Sequence, residues 1–182
     1  MQNLARIVFG ILLISSCKTA LFDAEPGVAQ QTFPAALQGS YYIKVPSSFF
    51  KRVTITDTVY LFIAPSYFET RDSNATKVTQ LDEQTGLRLV NGKHYVLTSH
   101  DSEYPQYWNY TLIEPTKKGA RFYAFIEEKN TPLPSYFKRS FVAVTNAGDS
   151  VFAYQPNDKQ LGAYIEKVLR KKDALELVRI QR

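Results

Sequence analysis

Leu87-Arg88-Leu89-Val90-Asn91-Gly92-Lys93-His94-Tyr95-Val96-Leu97 is the stretch whose reading decides the fold. Two apolar, β-prone runs meet at Asn-Gly. That pair takes positive φ at both central positions of a type I′ turn, whose twist matches a two-residue hairpin loop. A two-residue loop predicts that Val90 faces Lys93, Leu89 faces His94, Arg88 faces Tyr95 and Leu87 faces Val96. One face of the hairpin is then Leu87, Leu89, His94 and Val96.

Downstream, Tyr107–Ile113 and Arg121–Ile126 flank the turn-rich Pro115-Thr116-Lys117-Lys118-Gly119, and Phe137–Thr145 and Ser150–Gln155 flank Asn146-Ala147-Gly148-Asp149. Upstream, Ser40–Val45, Thr58–Ala64 and Tyr67–Arg71 read as strands. The segment from Asp72 to Gly86 is polar enough to read mostly as loop, with local pairing at Val78 and Leu81. Short strands joined by hairpin loops predict an antiparallel meander. Behind Asp158 come Leu161, Tyr164, Ile165, Val168 and Leu169, the i, i+3, i+4, i+7, i+8 stripe of a helix on a core. Asp158 suits its N-cap, and Arg170-Lys171-Lys172 suit its negative C-terminal end. Ala174–Ile180 supplies a final strand. The expected fold is mainly β, an antiparallel up-and-down barrel or meander with one C-terminal amphipathic helix before a last strand. A two-sheet sandwich gives much the same spacing.

This order of elements resembles the lipocalin-like arrangement, an up-and-down barrel with a helix packed outside. Gly39-Ser40-Tyr41 is similar to that family's Gly-x-Trp signature, with Tyr in place of Trp. The resemblance implies a barrel whose interior takes a small apolar ligand.

The N-terminus gives an address. Arg6 precedes the apolar run Ile7–Ile14, too short for the roughly 20 residues that cross a bilayer, and Ser15-Ser16 lead to Cys17. Positive, apolar and small regions in that order form a secretory signal. Ile14-Ser15-Ser16-Cys17 resembles the lipobox of bacterial lipoproteins, and Lys18 after it resembles the Bacteroidota type. The resemblance implies cleavage before Cys17, diacylglycerol on its sulfur, an N-acyl chain on its amine, and an outer-membrane anchor in the bacterial envelope. With Cys17 acylated, this single cysteine leaves the mature chain no thiol for a disulfide or a nucleophile. The expected organisation is a signal peptide over 1–16, a lipidated flexible tether over 17–36, whose Pro26, Gly27 and Pro34 break any period, and one β-rich domain over 37–182.

Chemistry is sparse. The 22 basic and 17 acidic residues leave a net charge of +5, or +4 once Arg6 is cleaved away, too modest for a nucleic-acid footprint. His94 and His100 are the only histidines, which excludes a histidine-rich metal site. His94 reads as a rim residue beside the hairpin tip, and His100-Asp101 as part of a surface turn. Glu127 and Glu128 are adjacent on a strand and point to opposite faces. No cofactor is expected beyond the lipid at Cys17. Twelve Tyr and twelve Phe suit both cores and binding surfaces. Tyr60 and Phe62, Tyr110, and Tyr123 and Phe125 lie on single strand faces and are the candidate ligand-binding residues for an aromatic-lined interior. Arg121 shares the face of Tyr123 and is placed to meet an acidic headgroup.

Three function classes follow in order. The first is a membrane-tethered module holding a small apolar ligand or lipid. The second is a structural or assembly lipoprotein that contacts an envelope protein. An enzyme ranks last, because no catalytic constellation is visible.

Overall fold

A computed structural model describes residues 18–44, 59–72, 75–127, 133–146, 148–170 and 174–180. The signal segment, Cys17 and Glu128 lie outside the described residues. Fifteen strands are described: β1 Lys18–Thr19, β2 Leu21–Phe22, β3 Val28–Gln30, β4 Gly39–Lys44, β5 Tyr60–Ile63, β6 Tyr67–Arg71, β7 Thr76–Gln80 and β8 Thr85–Val90, followed by β9 His94–His100, β10 Trp108–Thr116, β11 Gly119–Ala124, β12 Ile126–Glu127, β13 Lys138–Val144, β14 Ser150–Gln155 and β15 Leu175–Arg179. One helix, α1, spans Asp158–Val168.

Ten strands form a continuous antiparallel path, β3-β8-β9-β10-β11-β15-β4-β5-β6-β7, curled into a half-barrel. The mainly β fold with a helix before the final strand is therefore the one expected. β4 to β7 form one meander, β8 to β11 a second, and β15 joins them by pairing with both β11 and β4. Counted around the curl, β15 and β4 to β11 make nine strands. An odd number cannot close with every pair antiparallel, and parallel neighbours need a long crossover that residues 81–84 are too short to supply. The gap falls at this joint: among the described residues β7 and β8 are not paired, and β3 takes the free edge of β8. β7 lies where the sequence read mostly as loop; Thr76–Gln80 is polar because it is an edge with exposed residues on both faces.

The sheet has apolar residues on both faces, and each face builds its own core. Inside the curl, Tyr41, Ile43, Leu61, Ile63, Phe68, Leu87, Leu97, Ile113, Ala120, Leu175 and Leu177 pack with Phe33 and Leu37. On the outer face of β8 to β11, Val90, Val96, Tyr110, Leu112 and Tyr123 pack under Leu161, Ile165 and Val168 of α1, with Phe22, Phe125 and Tyr154. Asn157, rather than Asp158, caps α1, because it closes a reciprocal capping box with Gln160.

Two expectations are corrected. Residues 18–36 are not a flexible tether. Ala20 is 1 % exposed and Phe22 is 0 % exposed, β2 pairs with both β10 and β14, and Phe33 reaches into the interior core. Arg179 Nη2 donates to the Ala36 carbonyl (2.5 Å) and to the Tyr41 hydroxyl (2.7 Å), which itself donates to the Leu37 carbonyl (2.6 Å), fixing the end of this segment from the sheet. Burying isolated large side chains binds this segment although it has no period of its own.

The decisive hairpin is also one residue off the expected register. Asn91 (φ 52°) and Gly92 (φ 64°) take the positive φ values of the turn. Lys93 nevertheless stays in the loop, so Val90 pairs with His94, Leu89 with Tyr95, Arg88 with Val96 and Leu87 with Leu97. A one-residue slip moves every side chain of one strand to the opposite face. His94 and Val96 therefore lie under α1 beside Val90, while Leu87 and Leu89 face the interior. The helix favours this arrangement: Glu166 accepts from Lys93 Nζ (2.7 Å) and lies 3.2 Å from His94 Nε2.

Candidate functional site

Strand alternation fixes where each candidate side chain stands. Leu61 and Ile63 of β5 point inward, so Tyr60 and Phe62 point outward. Tyr110 and Tyr123 also face outward, since their neighbours Ile113 and Phe122 pack in the interior core. All five proposed ligand-binding aromatics thus lie off the interior, which is lined mostly by aliphatic residues. They do not form one site.

Tyr110, Tyr123 and Phe125 are covered. The Phe22 ring lies 3.7 Å from that of Tyr110 at an interplanar angle of 3°, and Phe125 meets both edge-on. The Tyr110 hydroxyl donates to the Ala24 carbonyl. Burial, with the nearby Glu25 carboxylate, pushes its pKa far above the ordinary tyrosine range, so it remains a neutral donor. Tyr123 donates to Glu114 Oε2 (2.9 Å). Glu114 also lies 3.7 Å from Arg121, which lies 3.7 Å from Glu176 on the neighbouring strand. Arg121 thus stands exposed in a charged seam across the outer face.

Beyond that seam the outer face is open. Tyr60 is 48 % exposed and Phe62 36 %, with Tyr42 exposed beside them on β4 and Val78 exposed on β7. Tyr42 is paired with Tyr60, Tyr60 with Arg71, and Phe62 with Glu69. Tyr67 meets the Phe62 ring edge-on at 6.1 Å. A groove of about 390 Å³ runs along this face, lined by Tyr60, Leu61, Phe62, Glu69, Arg71 and Asp72. Asp72 Oδ1 accepts from the Ala75 amide (2.8 Å). Among the described residues, the side chains of Glu69 and Arg71 have no hydrogen-bonding or ion-pair partner. The groove thus combines two aromatic rings with one arginine and two carboxylates, that of Asp72 engaged by the Ala75 amide.

The histidines are engaged elsewhere. His94 is buried against Glu166, and burial outweighs that carboxylate to hold its pKa below the ordinary value. His100 stacks at 3.8 Å on Trp108. Its neighbour Asp101 accepts from the amides of Glu103 and Tyr104 and from Asn109 Nδ2, closing the turn. Among the described residues no group of three His, Cys, Asp or Glu side chains is placed to hold a metal ion. The sequence missed Glu69 and Arg71. The signal was there: both share a strand face on β6, opposite the aromatic face of β5.

Compared with known proteins, the chain matches no family model, no curated protein and no solved structure.

Proposed function

We propose that this chain is a lipid-anchored protein of the bacterial outer membrane whose half-barrel is a binding module, and that it takes its ligand on the outer face of β4 to β6. The observation that carries this reading is the distribution of cover. The described interior side chains pack on one another and on Phe33 and Leu37, whereas Tyr60 and Phe62 stand exposed beside Glu69 and Arg71, whose side chains have no partner among the described residues. Exposed aromatic rings around a few convergent polar groups are typical of ligand sites. Binding ranks ahead of catalysis because both histidines are occupied in packing.

The anchor rests on the Ile14-Ser15-Ser16-Cys17 box. Ala20, three residues beyond Cys17, is already in the core, so an acylated Cys17 would hold the domain close against the bilayer. The Cys17→Ser variant is expected to lose its membrane partitioning; a variant bound as firmly as the parent removes the anchor.

Photo-cross-linking in the native host tests the outer face. A benzophenone side chain at Val78 is expected to capture a bound species, with capture lost in the Tyr60→Asp variant. Stoichiometric apolar ligand in native-source protein, unaffected by Tyr60→Asp and with no cross-link at Val78, would return the site to the interior.

A further inference from the structure

We infer that the groove on β5 and β6 recognises a zwitterionic phosphodiester headgroup, a phosphate joined through a short carbon spacer to an ammonium; this rests on the outer-face reading above. The argument begins with the charges. Other described charges of this face are paired: Arg121 lies between Glu114 and Glu176, Arg88 meets Glu25, and His94 meets Glu166 of the helix above it. Glu69 and Arg71 alone line the groove without such a partner among the described residues.

Their spacing is set by the strand. Two residues apart on one face lie about 7 Å apart along β6, and the long side chains of both can lean together over a ligand that carries both signs. Each stands opposite an aromatic residue, Arg71 opposite Tyr60 and Glu69 opposite Phe62. The guanidinium presents a planar fork matched to phosphate oxygens. Aromatic faces attract an ammonium, and a carboxylate beside them adds Coulomb attraction. Asp72 at the groove end adds a second carboxylate on the cation's side of the balance.

Elimination points the same way. A wholly apolar ligand would strip water from Glu69 and Arg71 and return nothing. A simple anion would meet Glu69 and Asp72, and a simple cation would meet Arg71; each repulsion disfavours that class. A zwitterion offers a partner to both charges and to the rings. The groove volume of about 390 Å³ falls in the range of roughly 300–1,000 Å³ usual for small-molecule sites.

The test uses the full-length protein in maltoside micelles, titrated calorimetrically with glycerophosphoethanolamine and with glycerophosphoglycerol, which keeps the phosphate but has no ammonium. A parallel arm places the protein in nanodiscs of phosphatidylethanolamine or of phosphatidylglycerol and follows the Arg71 Nε–H resonance. Binding of the soluble ethanolamine ester assigns a free solute; a shift seen only in phosphatidylethanolamine nanodiscs assigns a bilayer headgroup. In the arm that responds, Arg71→Gln and Glu69→Gln are each expected to weaken the response at least tenfold, with the thermal midpoint unchanged. Equal response to both headgroups, no response in either arm, or a response that survives both substitutions overturns the inference. A retained, Tyr60-dependent cross-link at Val78 alongside any of those results would leave the outer-face reading standing and refute the headgroup alone.

Discussion

Gly162 of α1 lies directly against the side-chain amide of Asn91 at the hairpin tip, so close that a Cβ at this position would overlap it. It lies beside the Glu166 clasp on Lys93 and His94, where the helix meets the hairpin.

A glycine inside a helix ordinarily costs about 1 kcal/mol relative to alanine, so Gly162→Ala on a free helix would stabilise. Here the added methyl meets the amide end of the exposed Asn91 side chain, which must turn aside, so the helix gain is expected to be largely cancelled and Gly162→Ala to stay within about 0.5 kcal/mol of the parent. Asn91→Gly removes the obstructing side chain and suits the positive φ of that position, so in its background Gly162→Ala is expected to show the full helix gain of about 1 kcal/mol. Urea unfolding of the four members of the cycle measures this coupling. A higher midpoint for Gly162→Ala alone would mean that the two elements do not meet.

Phe22→Ala is expected to destabilise by about 3–5 kcal/mol, the usual cost of emptying a buried phenylalanine site. It also removes the stack on Tyr110. Chemical denaturation gives the number, and protection of the Ala20 amide, which donates to the Phe125 carbonyl, gives the location. A variant as stable as the parent would restore the tether reading of this segment.

Ile165→Ala is expected to cost about 2–5 kcal/mol, because Ile165 is fully buried between α1 and the sheet. A loss below about 0.5 kcal/mol, the scale of a surface substitution, would place this helix face in solvent.

Acid should loosen the helix clasp. Burial, more than any other influence, holds His94 below its ordinary value of 6.5, with Lys93 adding to the effect and Glu166 and Glu114 opposing it. The unfolded chain therefore binds this proton more readily than the folded one. The contribution is fully present above about pH 6.5 and is lost as pH falls toward and through the folded value. Glu166, held below its ordinary 4.5 chiefly by the Lys93 ammonium, adds a further loss at lower pH. The thermal midpoint should be level from pH 8 to 7 and decline below that, with a shallower decline in His94→Gln. A midpoint that rises between pH 7 and 6 would contradict the assignment.

The sequence located elements better than it located their partners. Asn91-Gly92 announced the turn because its φ requirement is local, but the observed register places Lys93 and His94 on Glu166, more than sixty residues away. The stripe Leu161, Tyr164, Ile165, Val168 announced α1, and Asn157 with Gln160 carried a capping box that the adjacent Asp158 obscured. Phe22, Phe33 and Leu37 were opaque: single large residues among Pro and Gly carry no period, and only the two cores explain them. The binding candidates divided for the same reason. Alternation placed Tyr60 with Phe62 and Tyr123 with Phe125, but whether an outer face is covered by a helix or left open is decided by the rest of the chain.

The position of β15 also sets an order of events. Each meander consists of neighbours in sequence and can pair as soon as its own strands exist, whereas the joint between them waits for Leu175–Arg179. Such long-range closure raises the contact order and slows folding. Until that strand arrives, the facing edges of β4 and β11 are unpaired and open to pairing with another chain. The interval before β15 docks is therefore the stage at which this protein is most exposed to aggregation, and the stage at which a chaperone would have the most to protect.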